Sequence, residues 1–329
     1  MKHVHVFSLG GTISMTHDDK NTNTVVSTLN GEDLINGLPE LQEKVKVSAT
    51  SFMQVPSTQL TLDDILLLAD RINNLEMETS GIVVTQGTDT IEETSFALDL
   101  LIHRHIPVVL TGAMRNPTLR GADGSANLLN SILLASSDEA RGLGTVVVLN
   151  DEIHAARYVR KTHTQSLSAF QSNFGPIGWI AEGKPKVALR VNAYAGCPFG
   201  KMGPDVPVAL LTVTMGDDGR LIRNIRELGY GGVIIEALGG GHVPTAMVNM
   251  LEELAKDMPV VIASRTGNGR ILEQTYGYSG SETDLFGRGL LNAGWLDGRK
   301  SRILLQLLLR SGISYPEIKN LFHKFVNAL

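Results

Sequence analysis

Short runs of Val, Ile and Leu recur along the chain, and most are followed by a polar or glycine-containing loop and then an amphipathic stretch. The runs cover residues 4–9, 81–85, 107–111, 145–149, 232–235 and 259–263. Segments apolar at nearly every position, alternating with helical patterns, predict a parallel sheet with both faces covered. The best-defined helical pattern follows residues 81–85. There Ile91, Leu98, Leu101 and Ile102 supply an apolar stripe, Thr90 and Glu93 make a capping box, and Pro107 stops the helix before the next strand. Between residues 183 and 207 the periodicity fades, and Gly196, Pro198, Gly200, Gly203, Pro204 and Pro207 cluster. The expected organisation is a larger N-terminal α/β domain over residues 1–189, a linker over 190–207 and a smaller α/β domain over 208–329. The last of these closes with helical patterns at 298–311 and 316–328.

Composition narrows the classes. A chain of 329 residues exceeds the usual single domain, so two domains are expected. The hydrophobic fraction of 43% with 19% charged residues suits a folded α/β protein and excludes a disordered or collagen-like one. A net charge of −5 with no basic run gives nucleic acid no electrostatic foothold. Cys197 is the sole cysteine, which excludes an intrachain disulfide and any two-cysteine site. No apolar stretch approaches the roughly 20 residues that span a bilayer, so no membrane partner is expected. Met1-Lys2-His3-Val4-His5-Val6-Phe7 runs straight into the first strand pattern without the longer apolar region of a secretory signal. The expected location is the cytoplasm.

Three predicted strands end in unusual polar clusters: Gly10-Gly11-Thr12, Gln86-Gly87-Thr88-Asp89-Thr90 and Gly112-Ala113-Met114-Arg115. In parallel sheets functional groups collect on loops at the carboxyl ends of the strands. Glycine pairs there permit positive φ and close approach of a ligand. Thr12 and Thr88 would present hydroxyls to one crevice, with Asp89 beside them. A threonine hydroxyl becomes a useful nucleophile only when its proton is shared or removed, which a lysine and a carboxylate can do, and backbone N–H groups of glycine turns can hold an oxyanion. Each piece also has a plain structural explanation. Gly-Gly-Thr alone suits a simple turn, Thr90 and Glu93 suit capping, and Asp89 could cap the same helix. Periodicity by itself leaves the choice open.

The residues then match a family. Leu9-Gly10-Gly11-Thr12-Ile13-Ser14 resembles the first signature of the bacterial L-asparaginase/glutaminase family, and the run from Gly81 to Ile91, containing Gln86-Gly87-Thr88-Asp89-Thr90, resembles the second. The similarity continues through Thr111-Gly112-Ala113-Met114-Arg115, Ala122-Asp123-Gly124-Ser125-Ala126-Asn127-Leu128, Arg157-Tyr158-Val159-Arg160-Lys161-Thr162, Asn173-Phe174-Gly175-Pro176-Ile177-Gly178 and Lys300-Ser301-Arg302-Ile303-Leu304-Leu305. Ordered matches over nearly the whole chain make the resemblance specific.

The resemblance implies a threonine amidohydrolase that converts L-asparagine to L-aspartate and ammonia through a threonyl acyl-enzyme. Thr12 would be the nucleophile, and Thr88, Asp89 and Lys161 a proton-relaying triad. Read without the resemblance, Lys161 is one base in a run with Arg157 and Arg160. Gly11, Gly87, Thr88 and Asp89 would line the substrate, Ser57 and Thr58 would take its carboxylate, and Asp89 its ammonium. Glu282 would help from a neighbouring subunit, so the resemblance implies a homo-oligomer, specifically a homotetramer built from intimate dimers, with the C-terminal domain completing the site. No cofactor and no metal are implied.

Three departures stand out. Gln86 replaces the signature histidine, which keeps hydrogen-bonding capacity but loses the titratable ring. The lid tyrosine has no counterpart among residues 16–30, where Thr24 falls nearest its place. The C-terminal turn that carries asparagine in the family reads Gly239-Gly240-Gly241-His242. Glutamine or a related amino-acid amide is the alternative substrate. An amidotransferase subunit would carry an extra N-terminal domain ahead of the first signature, and a non-catalytic amino-acid sensor is the rival from another class. His3/His5 and His103/His105 lack convergent third ligands for zinc, the glycine runs match neither a phosphate loop nor a dinucleotide fingerprint, and no Gly-x-Ser-x-Gly elbow exists.

Overall fold

The computed structural model describes every residue except 19–20, 42–43, 77, 192–198, 200–201 and 328–329. Half of the predicted linker, residues 192–198 and 200–201, therefore lies outside the described residues, and Cys197 with it. The chain divides into two compact units, Met1–Cys197 and Pro198–Leu329. Among the described residues no helix is long and apolar enough to cross a membrane.

In the first unit the elements follow in order as β1 (His3–Ser8), β2 (Met15–Asp18), β3 (Asn21–Ser27), α1 (Gly31–Asn36), β4 (Lys46–Ser51), α2 (Leu62–Asn73), β5 (Gly81–Thr85), α3 (Ile91–Leu101), β6 (Val108–Thr111), α4 (Gly124–Ser136) and β7 (Thr145–Leu149). Five short strands complete it: β8 (Glu152–Ala155), β9 (Val159–Lys161), β10 (Phe170–Ser172), β11 (Gly178–Ala181) and β12 (Lys184–Val187). The main sheet has eight strands in the order β12-β11-β8-β7-β6-β5-β1-β4. The five from β7 to β4 are parallel; β8, β11 and β12 continue the sheet antiparallel.

Alternation along the strands divides the burial between two faces. Val83, Val109 and Val146 join Leu128, Ile132 and Ala135 of α4 in one core cluster. Ile82, Val84, Leu110 and Val147 point the other way, where α3 packs. Double coverage is why β5, β6 and β7 are buried at every position and read as unbroken apolar runs. Edge strand β4 is only partly buried, with the polar sequence KVSATS, so no apolar run marks it.

The second unit holds a separate parallel sheet in the order β13 (Val208–Thr212), β14 (Gly232–Ala237), β15 (Val260–Ser264) and β16 (Leu291–Asn292). Helix α5 (Thr245–Ala255) contributes Met247, Val248 and Leu251 to a core with Val233, Ile235 and Ile262. The unit continues with α6 (Glu282–Gly287), and then α7 (Gly298–Arg310) and α8 (Tyr315–Asn327) occupy the two terminal helical patterns. A larger, mostly parallel, helix-covered sheet and a smaller α/β unit are the expected fold class.

The expected capping box does not form. Thr90 precedes α3 at φ −117°, ψ 12° and makes no side-chain cap, because a 3-10 turn over Thr88–Thr90 leads into the helix and holds Thr90 out of the extended conformation that caps adopt.

One buried group makes folding pH-dependent. His154 of β8 is 1% exposed, with Nδ1 2.9 Å from Ser172 Oγ and Nε2 3.2 Å from Glu152 Oε2. Burial pushes its pKa down from 6.5 to about 4, so the folded chain holds the ring neutral. Between those values the unfolded chain binds more protons, so this contribution is complete above the unfolded pKa and falls away as pH drops. The loss reaches about 3 kcal/mol once the folded pKa is passed. Urea unfolding at about pH 7.5 and about pH 5 is expected to show this decline, and a flatter response in His154→Gln. Equal slopes in the two proteins would assign the acid sensitivity to other groups.

Candidate active site

The turn after β1 and the turn after β5 meet backbone to backbone. Gly10 and Gly11 have φ of 97° and 85°, a region that disfavours side chains. A Cβ on Gly11 would lie 2.1 Å from Gly87 N, and one on Gly87 would lie 2.8 Å from Ser57 Oγ. A Cβ on Gly112, after β6, would lie 2.5 Å from Gln86 O. Three strand ends and the Ser57 loop thus touch where only glycine fits. Asp123 accepts from the N–H groups of Met114 and Arg115 at 3.0 and 2.8 Å, and Asn127 donates to Gly112 O at 3.0 Å. The Asp123/Asn127 motif therefore fixes the third turn.

Between these turns lies a cavity of about 210 Å³ lined by Gly11, Thr12, Ser57, Gly87, Thr88, Asp89 and Lys161, with Met15, Pro56, Met114 and Thr164 completing its wall. Its size suits an amino acid rather than a large ligand. Thr12 opens a 3-10 turn over Thr12–Ser14, tied down where Ser14 N and Oγ both donate to Gly11 O, at 3.0 and 2.9 Å. Thr88 is 6% exposed.

Lys161 ends β9, which pairs with β10 in a hairpin. Its Nζ donates to Thr88 Oγ1 at 2.8 Å and to Asp89 Oδ1 at 2.6 Å. Its backbone N–H donates to the Glu92 carboxylate at 2.8 Å, so the first turn of α3 holds the residue that reaches back over the preceding loop. Just before this hairpin, Arg157 pairs with Asp99 at 3.2 Å in nearly complete burial, and Asp99 also accepts from Thr145 N at 2.7 Å. Because Lys161 donates to Thr88, the threonine oxygen is the acceptor and its own proton remains available. An ammonium in direct contact favours ionisation of that hydroxyl.

The expected residues divide. Gly11, Thr12, Ser57, Gly87, Thr88, Asp89 and Lys161 come together at the cavity. Thr58 does not: it is exposed, because consecutive residues of the 3-10 turn over Ser57–Gln59 face different ways and Ser57 is the one turned inward. Glu282 lies in the second unit. As the first residue of α6 it is fully buried, accepting from Thr275 N and Tyr276 N at 2.7 Å each and lying 3.1 Å from His242 Nε2. Burial alone pushes its carboxyl up, but the N–H donors of Tyr276 and Thr275 outweigh that and hold it below the ordinary value. These partners hold the carboxylate in place within its own unit. The exposed members of this cluster are Tyr276 and Tyr278, whose rings meet His242 at 5.0 and 5.6 Å. Met15, Pro56 and Thr164 were not expected at the cavity. Pro56 and Thr164 are sequence neighbours of expected residues, but nothing in their residue types signals the placement.

Comparison with known proteins agrees with this architecture. The model of the asparaginase N-terminal domain matches residues 3–192, and that of the glutaminase/asparaginase C-terminal domain matches residues 207–322. The chain is 32% identical to an L-asparaginase of Bacillus licheniformis, over 94% of this chain and 96% of that protein. It is 31% identical to a probable periplasmic L-asparaginase of Haemophilus influenzae, over 99% and 93%. The crystal structure of a probable cytoplasmic L-asparaginase from Campylobacter jejuni superposes with a TM-score of 0.86 at 30% identity, covering 98% of this chain and 99% of that one. With both domain models matched in order across the two units that carry the two sheets, this chain belongs to the asparaginase family.

Proposed function

We propose that the protein hydrolyses L-asparagine to L-aspartate and ammonia, with Thr12 as nucleophile and Thr88, Asp89 and Lys161 as proton relay. The observation that carries the reading is Lys161 Nζ seated between Thr88 Oγ1 and Asp89 Oδ1. Thr12 Oγ attacks the side-chain amide carbon, and the resulting oxyanion is held by N–H groups of the glycine turns. The proton lost by Thr12 is delivered to the amide nitrogen, the C–N bond breaks to release ammonia, and a β-aspartyl ester remains until water attacks it, freeing aspartate and returning a proton to Thr12 Oγ. Protons pass between the crevice and the Lys161 amine through the Thr88 hydroxyl. Asp89 balances the ammonium while Lys161 is charged, and its exposure leaves it able to meet the substrate ammonium as well. Ser57 lines the same crevice, where it takes the substrate carboxylate.

The same reading includes a homotetramer of intimate dimers, in which the C-terminal unit of one copy completes the crevice of another. Among the described residues lining the cavity, Asp89 is the sole carboxylate, and it is already paired with Lys161. In this reading a second group for the substrate ammonium comes from the neighbouring copy, as Glu282 with His242 beside its carboxylate. We place the protein in the cytoplasm, a reading favoured by the likeness to the Campylobacter jejuni enzyme and opposed by the periplasmic name of the Haemophilus influenzae relative.

Purified wild type is expected to release ammonia from asparagine, and Thr12→Ala to release none. Thr88→Val and Lys161→Met are each expected to lower kcat by about 10²–10⁴ while the circular dichroism spectrum stays unchanged. Near-normal ammonia release by either of the last two would remove that residue from the mechanism, and asparagine binding without turnover by wild type would point to a sensor. Glu282→Ala is expected to raise the half-saturating concentration more than it lowers the maximal rate, and sedimentation at assay concentration to give a tetramer. A fully active monomer would end the oligomeric part of the proposal.

A further inference from the structure

We propose that Gln86 is a positioning residue that sets the substrate-carboxylate loop through Thr90, an inference that rests on the reading of Ser57 given above. Gln86 is fully buried at the end of β5. Its Nε2 donates to Gly87 O at 3.3 Å and to Thr90 Oγ1 at 3.2 Å. Thr90 Oγ1 in turn donates to Ser57 O at 3.3 Å. The hydroxyl that does not cap α3 thus links the turn after β5 to the Ser57 loop that packs against it.

The direction of this chain of hydrogen bonds is fixed by chemistry. An amide nitrogen only donates, so Thr90 must accept from Gln86 and send its single proton to Ser57 O. Turning the amide over would set Gln86 Oε1 against Gly87 O and make it compete with Ser57 O for the Thr90 proton. Only the observed orientation satisfies both carbonyls. It has a cost, since Gln86 Oε1 is left buried with no partner, a destabilising condition that native structures rarely retain. The donor end accounts for keeping an amide there.

Ser57 is buried directly against Gly87, so its position follows that of its own backbone turn. A Cβ on Gly87 would lie within 3.0 Å of Ser57 N, Cβ and Oγ, so the serine packs directly on bare backbone. Its carbonyl accepts from Leu60 N within its own turn at 3.2 Å, and Thr90 supplies the link to the rest of the site. The Gln86 amide does not titrate between acid and neutral pH, whereas a histidine would change its donor pattern with protonation. Gln86 therefore adds no titrating group to this chain of bonds, and the Lys161–Thr88–Asp89 relay lies outside it.

Gln86→Met keeps length and burial while removing the donor, and Thr90→Val keeps shape while removing the hydroxyl. Each is expected to raise KM for asparagine about fivefold to twentyfold, the effect of one partly compensated hydrogen bond, with kcat within about threefold of wild type. The double variant is expected to match either single one, and Thr90→Ser to restore KM, because the two groups act in series. A purely structural role would lower the melting temperature without this split between KM and kcat. Additive losses, a fall in kcat at unchanged KM, or no rescue by serine would overturn the inference. Calorimetric Kd values for asparagine with the same variants separate it from the proposed reaction. If wild type binds but does not turn over, the same pattern in Kd sustains the positioning role and equal Kd values refute it; wild type that neither binds nor turns over an amino-acid amide removes both.

Discussion

Three turns and a loop can share one crevice only because their backbones touch without side chains between them. Neighbouring strands lie about 4.8 Å apart. The ends of β1 and β5, paired in register from Val4 with Gly81 to Ser8 with Thr85, therefore deliver their following turns almost into contact. Gly11 against Gly87, Gly87 against Ser57 and Gly112 against Gln86 then close the remaining distance. A methyl group on Gly11 or Gly112 would meet backbone of the β5 turn, and one on Gly87 would meet Ser57, so the turns could not close on one another as they do. The glycines are thus the steric condition for the chemistry, and the hydroxyls follow from it.

The amine arrives by a different route. Lys161 is carried on a small two-stranded hairpin outside the main sheet, and its position depends on anchors on either side. Glu92 takes its backbone N–H, and upstream the enclosed Arg157–Asp99 pair secures the approach to the hairpin. Deleting one partner of such a buried pair leaves a charge uncompensated and costs about 3–5 kcal/mol. The rigid parallel strands therefore supply the hydroxyls, while buried acids of α3 bring the base to them. Acid sensitivity of the fold has a separate origin in His154 of β8.

Thr90 shows how one residue can satisfy two patterns and serve one. A threonine three residues before an acid, ahead of an apolar stripe, is the local signature of a helix start, where a cap contributes about 1 kcal/mol. The turn over Thr88–Thr90 removes the backbone conformation a cap requires, and the hydroxyl goes instead to Ser57 on another loop. Glu282 is the parallel case. Its neighbours Ser281 and Thr283 carry no sign of enclosure, yet two N–H groups and His242 surround the carboxylate.

What the sequence determined by itself was whatever is written in neighbouring residues. The apolar runs at β5, β6, β7, β14 and β15, the helices between them, and glycine at the turns all follow from period and residue type, since double burial and positive φ are local demands. Edge strand β4 and the short strands β8 to β12 left no such mark, because a half-exposed or brief strand needs no apolar run. Lys161 was one base among three until the fold set it beside Thr88 and Asp89, 73 and 72 positions away. The turning in of Ser57 but not Thr58, the enclosure of Glu282 and the redirection of Thr90 were likewise decided by tertiary structure. Each depends on a partner distant in the chain or on which way a turn faces, and the pattern of adjacent side chains carries no record of either.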